Sequence, residues 1–300
     1  MSADLIRGLI VKAQSGFFTV NTDQGRIVCQ LRGRLKQGKA RGDLAAIGDR
    51  VRISAMPDAT GMIEVVEERK RAIVRLDPRP QGVYQQILLS NPDQVVLVFA
   101  CAHPPPKLRM LDRFLVVAEK QRVPAVIVAN KVDLVQDPRE IFGLYEPLGY
   151  LVLYTSAKTG QGVDSLRTQL RGKISALAGP SGVGKSSLLN TMQPGLGLAV
   201  REVSTAVNKG KHATVTREMY ALEEGGYVAD SPGWRALALW DTAPEELDAY
   251  FPELAPLVAE CQFSDCTHEH EPGCAVRRAV EAGQVHPLRY DSYLRLRAGG

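Results

Sequence analysis

The chain has no stretch approaching the ~18 consecutive apolar residues that cross a bilayer. Its N-terminus, Met-Ser-Ala-Asp-Leu-Ile-Arg-Gly, lacks the apolar core of a signal peptide. Both absences point to a cytoplasmic protein with no membrane partner. Cysteine is scarce and odd in number. Of five among 300 residues, Cys29 and Cys101 stand alone while Cys261, Cys266 and Cys274 sit together. That distribution argues against a disulfide framework and for a metal site. One segment lacks acidic and aromatic residues altogether. It runs from Arg32 through Arg34, Lys36 and Lys39 to Arg41, interrupted by Gly33 and Gly38. A basic loop of this kind can follow a phosphate backbone, and without aromatics it is expected to bind RNA through phosphates rather than by reading bases.

What is present is an ordinary globular composition, 45% hydrophobic and 23% charged, long enough for two or three domains with real cores. The net charge of +4 is unevenly spread, because residues 1–75 hold fourteen Lys/Arg against eight Asp/Glu and the remainder is slightly acidic. Local basicity of this kind suits a polyanionic partner, although a solvated surface would look the same. Within it, Ile6 to Ala13, Phe17 to Asn21, Arg26 to Leu31, Arg50 to Ser54 and Met62 to Glu67 alternate as short strands between turn residues. Five such strands suit a small barrel of the OB or SH3 kind. Arg69-Lys70-Arg71 and Asp77-Pro78-Arg79-Pro80 read as a charged, proline-bearing joint, which places a domain boundary near residue 72.

The most informative stretch is Gly179-Pro180-Ser181-Gly182-Val183-Gly184-Lys185-Ser186, a G-x-x-x-x-G-K-[ST] string. A buried strand, Lys173 to Ala178, precedes it, and a helix opens at Ser187. A strand feeding such a loop into a helix aims backbone N–H groups and the positive helix end at one point. Lys185 can then reach the β and γ phosphates, where it stabilises developing charge, and Ser186 can ligate Mg²⁺. Gln94 to Ala100 and Ala125 to Ala129 read as further buried strands, flanking a helix with Leu108, Leu111, Leu115 and Ala118 on one face. The second strand runs into Asn130-Lys131-Val132-Asp133. Asp133 can accept from the N1–H and amino group of guanine, Asn130 can bond N7 and brace the phosphate loop, and the Lys131 stem can cover the base. Tyr150 to Thr155 leads into Ser156-Ala157-Lys158, whose N–H groups suit the guanine O6. A helix over Val163 to Arg171 follows.

Past the phosphate loop, the polar segment Ala206 to Thr216 offers Thr214 as a ligand of Mg²⁺ and partner of the γ-phosphate. A strand over Gly226 to Ala229 then ends in Asp230-Ser231-Pro232-Gly233. This D-x-x-G string sets Asp230 near the metal and the Gly233 N–H against the γ-phosphate. Ras-like GTPases carry the same elements with N-K-x-D and S-A-K last, whereas here they come first. A circular permutation accounts for the order. Thr242-Ala243-Pro244-Glu245 reads as a capping-box start of a helix. In the tail, Cys261, Cys266, His268 and Cys274 offer three thiolates and an imidazole, a set suited to one closed, structural Zn²⁺ site. His270 is the rival for the fourth position. The arginines beyond it, Arg277, Arg278, Arg289, Arg295 and Arg297, suit an RNA-facing or a merely solvated helix face.

The permuted order, the basic barrel before it and the C-x₄-C-x-H-x₅-C tail together resemble the RsgA/YjeQ family of small-subunit biogenesis GTPases over residues 5–295. Gly210-Lys211-His212-Ala213-Thr214 is similar to that family's G-R-H-T-T loop, with Ala213 and Ser231 at positions where Thr is usual. The resemblance implies a multidomain α/β protein: an OB-fold over 1–72, a circularly permuted P-loop GTPase domain over 73–240 and a helical zinc-binding domain over 241–300. It implies a monomer that binds GTP or GDP with Mg²⁺, docks on the 30S subunit and its 16S rRNA late in maturation, hydrolyses GTP and leaves. Trp234 stands where Ras-type proteins have a water-positioning Gln, and the resemblance nominates His212 as the substitute. The competing readings are a P-loop ATPase or kinase and a non-hydrolysing RNA-binding scaffold.

Overall fold

The computed structural model describes residues 5–36, 42–57, 59–79, 82–198, 217–230 and 242–299. Lys39, Arg41, His212, Thr214 and Gly233 lie outside the described residues, as do the side chains of Lys36 and Asp230.

Five strands build the N-terminal barrel: β1 (Ile6–Gln14), β2 (Phe17–Thr22), β3 (Gly25–Leu31), β4 (Arg50–Ala55) and β5 (Thr60–Val66). Their order is β1-β2-β3-β5-β4, and β4 closes back onto β1. Alternation in the sequence sends Ile10, Val20, Cys29, Val51, Ile53 and Ile63 inward, where they are buried. The expected proline-bearing joint is itself structure. Strands β6 (Ala72–Arg79) and β7 (Gly82–Ser90) form a separate antiparallel ribbon. Its Ile73, Leu88 and Leu89 join the core, and Ser90 donates to the Ile47 carbonyl of the barrel at 2.9 Å.

The larger domain is a sheet ordered β10-β9-β8-β11-β13-β12. Its members are β8 (Gln94–Ala100), β9 (Ala125–Asn130), β10 (Leu151–Thr155), β11 (Ile174–Ala178), β12 (Arg217–Ala221) and β13 (Tyr227–Asp230). All pair in parallel except β12. Every residue of β8 is buried, because both faces of a parallel sheet are covered. Val95, Leu97 and Phe99 meet α1 (Leu108–Lys120) on one side. Val96, Val98 and Ala100 meet α3 (Val163–Leu170) and α4 (Lys185–Met192) on the other. The short α2 (Arg139–Phe142) packs beside the α1 face.

Two further features differ from the sequence-based expectation. Strand β12 pairs with β1 through Lys12↔Glu218 and Ala13↔Arg217, so barrel and larger domain share one continuous eleven-stranded sheet. Only Met219 of β12 is buried, which leaves too weak an alternation to mark a strand. The capping box at Thr242 is also absent. Pro244 takes the first position of a 3₁₀ helix over Pro244–Tyr250, which makes Ala243 the cap residue. Thr242 lies one residue too early and instead accepts from Lys120 Nζ at 3.3 Å.

The C-terminal region adds α5 (Ala255–Val258), α6 (Ala275–Glu281) and α7 (Pro287–Arg297). Its core of Leu247, Phe251, Leu254, Val276 and Tyr293 includes Val116 from α1, so it packs directly on the central domain. No helix among the described residues is long and apolar enough to cross a membrane.

Candidate nucleotide site and metal centre

Strands β8, β9, β11 and β13 bring their C-terminal ends to one edge, where ligands of open α/β sheets bind. From β11 the chain enters the Gly179–Ser186 loop and then α4. Gly179 has φ +146°, and a Cβ there would lie 2.1 Å from the Val98 carbonyl oxygen. Gly184 has φ +97°, and its Cβ would lie 2.4 Å from Asn130 Nδ2. No side chain larger than hydrogen fits at either place. Lys185 Nζ lies against this loop, donating to the carbonyls of Gly179 and Pro180 at 2.9 Å each. Ser186 and Ser187 follow in the first turn of α4.

The candidate base-recognition residues reach the same place. Asn130, 1% exposed at the end of β9, donates from Nδ2 to the Val183 carbonyl at 2.8 Å. Its Oδ1 accepts from Thr155 Oγ1 at 3.1 Å. Lys131 takes a left-handed conformation, φ +63°, and its Nζ donates to the Gly182 carbonyl at 2.7 Å and to the His103 carbonyl. Burial pushes its pKa down, and the Asp133 carboxylate partly opposes that shift. Asp133 Oδ1 accepts from Ser156 Oγ at 2.6 Å, which locks N-K-x-D to the Ser156-Ala157-Lys158 loop. That loop is fixed in turn by Thr159 N donating to Ser156 Oγ at 3.1 Å and by Thr191 Oγ1 of α4 donating to the Ala157 carbonyl at 3.2 Å. Asp230 ends β13 with its backbone beside Leu177 of β11, one strand from the phosphate loop. Asn130, Asp133, Lys185 and the backbone of Asp230 therefore share one sheet edge, and the N-K-x-D string is bonded to the phosphate loop through Val183 and Gly182.

In the tail, one ligand atom from each of Cys261, Cys266, His268 and Cys274 lies within 4.8 Å of every other. His268 Nδ1 is 3.6 Å from Cys261 Sγ and 3.4 Å from Cys274 Sγ. A tetrahedral ion with bonds of ~2.3 Å to sulfur and ~2.05 Å to nitrogen has N···S edges of about 3.6 Å, so the arrangement fits a metal. Burial and the neighbouring thiols of Cys274 and Cys261 push the Cys266 thiol up to about 12, against the bond from the His268 backbone. A bound dication reverses that balance. His270, the rival ligand, is 83% exposed beside Glu269.

The family-level comparison agrees with these features. Residues 66–240 match the model described as RsgA GTPase, and residues 7–63 match that described as RsgA N-terminal domain. The chain belongs to the RsgA GTPase family. A relative called small ribosomal subunit biogenesis GTPase RsgA from Gemmatimonas aurantiaca is 46% identical, over 97% of this chain and 96% of its own length. One of the same name from Moorella thermoacetica is 42% identical, over 96% and 95%. Among solved structures, YjeQ from Thermotoga maritima superposes with a TM-score of 0.79 at 37% identity, covering 98% of both chains. YloQ, described as a circularly permuted GTPase, gives 0.75 at 31% identity over 98% of this chain and 94% of its own. The permuted order of the motifs is thus an RsgA family trait, and the GTP hydrolase reading displaces the ATPase, kinase and scaffold alternatives.

Sequence reasoning missed several residues around these RsgA sites. Thr155 orients the Asn130 amide, and the His103 carbonyl holds Lys131. Asp248 Oδ2 sits 3.2 Å from His268 Nε2. Only Thr155 carried a signal, as the last residue of a strand that ends at the site. Arg289, read as a surface or RNA-facing arginine, is buried instead. Its guanidinium lies at 2.6 Å from both Asp112 and Glu253, so this arginine is neither solvated nor free for RNA, whereas Arg278 and Arg295 are exposed. Arg32 and Arg34 remain half exposed or more, and both lie on the Glu64 carboxylate.

Proposed function

We propose that the chain hydrolyses GTP on the small (30S) ribosomal subunit late in its maturation, contacts 16S rRNA, and uses hydrolysis to leave. The observation that supports this most is the Asn130–Val183 hydrogen bond, which ties the candidate guanine-reading strand end directly to the candidate phosphate loop. Asp133 accepts from the guanine N1–H and amino group, and the N–H groups of Ser156 and Ala157 face O6. Residues Gly179 to Ser187 surround the phosphates, and Lys185 turns from its own loop carbonyls to the β and γ oxygens. Ser186, with Asp230 and Thr214, would hold Mg²⁺, which supplies charge neutralisation at the terminal phosphate. A water oxygen attacks the γ-phosphorus, and the bond to the β–γ bridging oxygen breaks. Loop amides, Lys185 and the Gly233 N–H stabilise the developing charge, and His212 orients the water.

Zn²⁺ held by Cys261, Cys266, His268 and Cys274 is structural, because the protein fills all four positions. Arg32, Arg34, Lys36, Lys39 and Arg41 contact rRNA phosphates. The protein acts as a cytoplasmic monomer.

GTP turnover measured against purified small subunits over a salt series tests this reading. Subunits are expected to raise turnover by about 10³-fold or more, with the effect weakening as salt rises. Substituting His212→Ala is expected to abolish most of the stimulated rate. Tighter binding of adenine than guanine nucleotides, or no turnover even with subunits, would sink the proposal.

A further inference from the structure

We propose that Asp43 and Arg217 are positioning residues that carry contact at the barrel's basic segment to the segment facing the γ-phosphate. This rests on the proposed reading that residues 32–41 meet rRNA and residues 206–216 meet GTP. The two segments are far apart in the chain, yet the residues that follow them are joined.

Gly42 pairs with Gln85 of β7, so closely that a Cβ would lie 2.8 Å from the Gln85 carbonyl oxygen. The Asp43 N–H donates to the same oxygen at 3.2 Å. The Asp43 carboxylate accepts from Tyr84 OH at 2.7 Å and from the Ile87 N–H at 2.9 Å. Arg217 opens β12, and its Nη1 donates to the Ile87 carbonyl at 2.7 Å and to Asp43 Oδ2 at 3.4 Å. Below them, Arg69 binds the Asp43 carbonyl at 3.2 Å while forking onto the fully buried Asp49 at 2.7 Å to each oxygen.

A shift at Asp43 therefore reaches Arg217 across one ion pair and one strand, with no flexible linker between. From Arg217 it passes along β12 to β13, the strand that ends in Asp230. The pair is three-quarters buried, so salt screens it less than a surface contact. It is not what holds β12 in place, since the backbone ladders to β1 and β13 do that. Losing the side chain should thus leave the fold and uncouple the two segments.

The experiment uses the full chain as wild type, Arg217→Ala and Arg217→Lys. GTP turnover is measured alone and with purified small subunits, subunit binding by co-sedimentation with a non-hydrolysable GTP analogue, and folding by thermal unfolding. Arg217→Ala is expected to keep basal turnover and subunit binding within about twofold while losing roughly tenfold of the stimulation. Arg217→Lys, which keeps the charge near Asp43, should recover most of it. Stimulation of Arg217→Ala equal to wild type overturns the coupling. So does an equal proportional loss of basal and stimulated turnover, which is the mark of a merely structural role. A wild-type protein that subunits fail to stimulate overturns the proposed function and the coupling together, so the two failures are told apart by the wild-type measurement.

Discussion

Glu64 shows how one carboxylate can organise a basic surface. It projects from β5 with 8% of its side chain exposed and accepts from Arg32 Nε at 2.8 Å, Arg34 Nη2 at 3.2 Å and Ser54 Oγ at 2.9 Å. Long arginine side chains lose considerable entropy when fixed. Glu64 fixes these two within the folded barrel and leaves 50% and 62% of their side chains exposed. Burial acts to raise its pKa, but the bonds from Ser54 and Arg32 and the charges of Arg32 and Arg34 prevail and hold it below the usual carboxylate value. A folded pKa below the unfolded value of ~4.3 means the stabilisation is complete above that pH and is lost as pH falls through the folded value. Glu64→Gln should therefore be less stable than wild type at pH 7, with the gap closing below about pH 4. Urea midpoints at a series of pH values check this, and a gap that persists into strong acid would show that the charge is not its source.

At the scale of elements, His268 depends on a helix that precedes it. Asp248, on the 3₁₀ segment Pro244–Tyr250, faces His268 Nε2 at 3.2 Å and so turns Nδ1 toward the sulfurs. The turn carrying His268 is shaped by Glu271, which accepts from the N–H groups of Thr267 at 2.8 Å and Glu269 at 3.1 Å. Replacing such a carboxylate partner commonly weakens metal binding about 10–100-fold. Asp248→Ala is expected to do so here, read as Zn²⁺ affinity in competition with a chromophoric chelator. Unchanged affinity would refute an orienting role.

The same region shows what was legible from residues alone. The spacing of Cys261, Cys266, His268 and Cys274 is short enough to mark a cluster, and N-K-x-D and the phosphate loop each carry their chemistry in a few consecutive residues. The strands of the barrel were legible too, as were β8, β9, β10, β11 and β13 of the larger sheet, because alternation and apolar runs are local. Asp248 lies twenty residues upstream of its histidine, and nothing local marks it. Strand β12 was missed for a related reason: its ladder partners, β1 and β13, decide that it is a strand. Glu64 reads as an ordinary strand acid until Arg32 and Arg34 fold over it.

For the whole molecule, the informative contact is the one that fastens the C-terminal region to the central domain. Arg289 of α7 is 1% exposed and bonds Asp112 of α1 at 2.6 Å and Glu253 at 2.6 Å. Tyr145 OH at 2.7 Å and Ser292 Oγ complete the Asp112 carboxylate, and the guanidinium lies 4.5 Å from the Phe251 ring centroid. Burial works against the Arg289 charge, but Asp112 and Glu253 more than offset it and hold the pKa above the ordinary value. The Cys₃His cluster is bound to this junction as well, because Tyr290 OH of the same helix donates to the His268 carbonyl at 2.5 Å. Such a network need not be more stabilising than an apolar junction of the same volume. Opening it on one side is costly, however, because the remaining carboxylates stay buried without their cation. Arg289→Ala should accordingly lower stability by about 3–5 kcal/mol. Arg295→Ala, on the same helix but paired with Asp291 in solvent, should cost less than about 1 kcal/mol. Denaturant midpoints of the two variants, followed by far-UV circular dichroism, decide the matter. If Arg289→Ala unfolds at the same midpoint as Arg295→Ala, the buried network is not what holds the C-terminal region against the central domain.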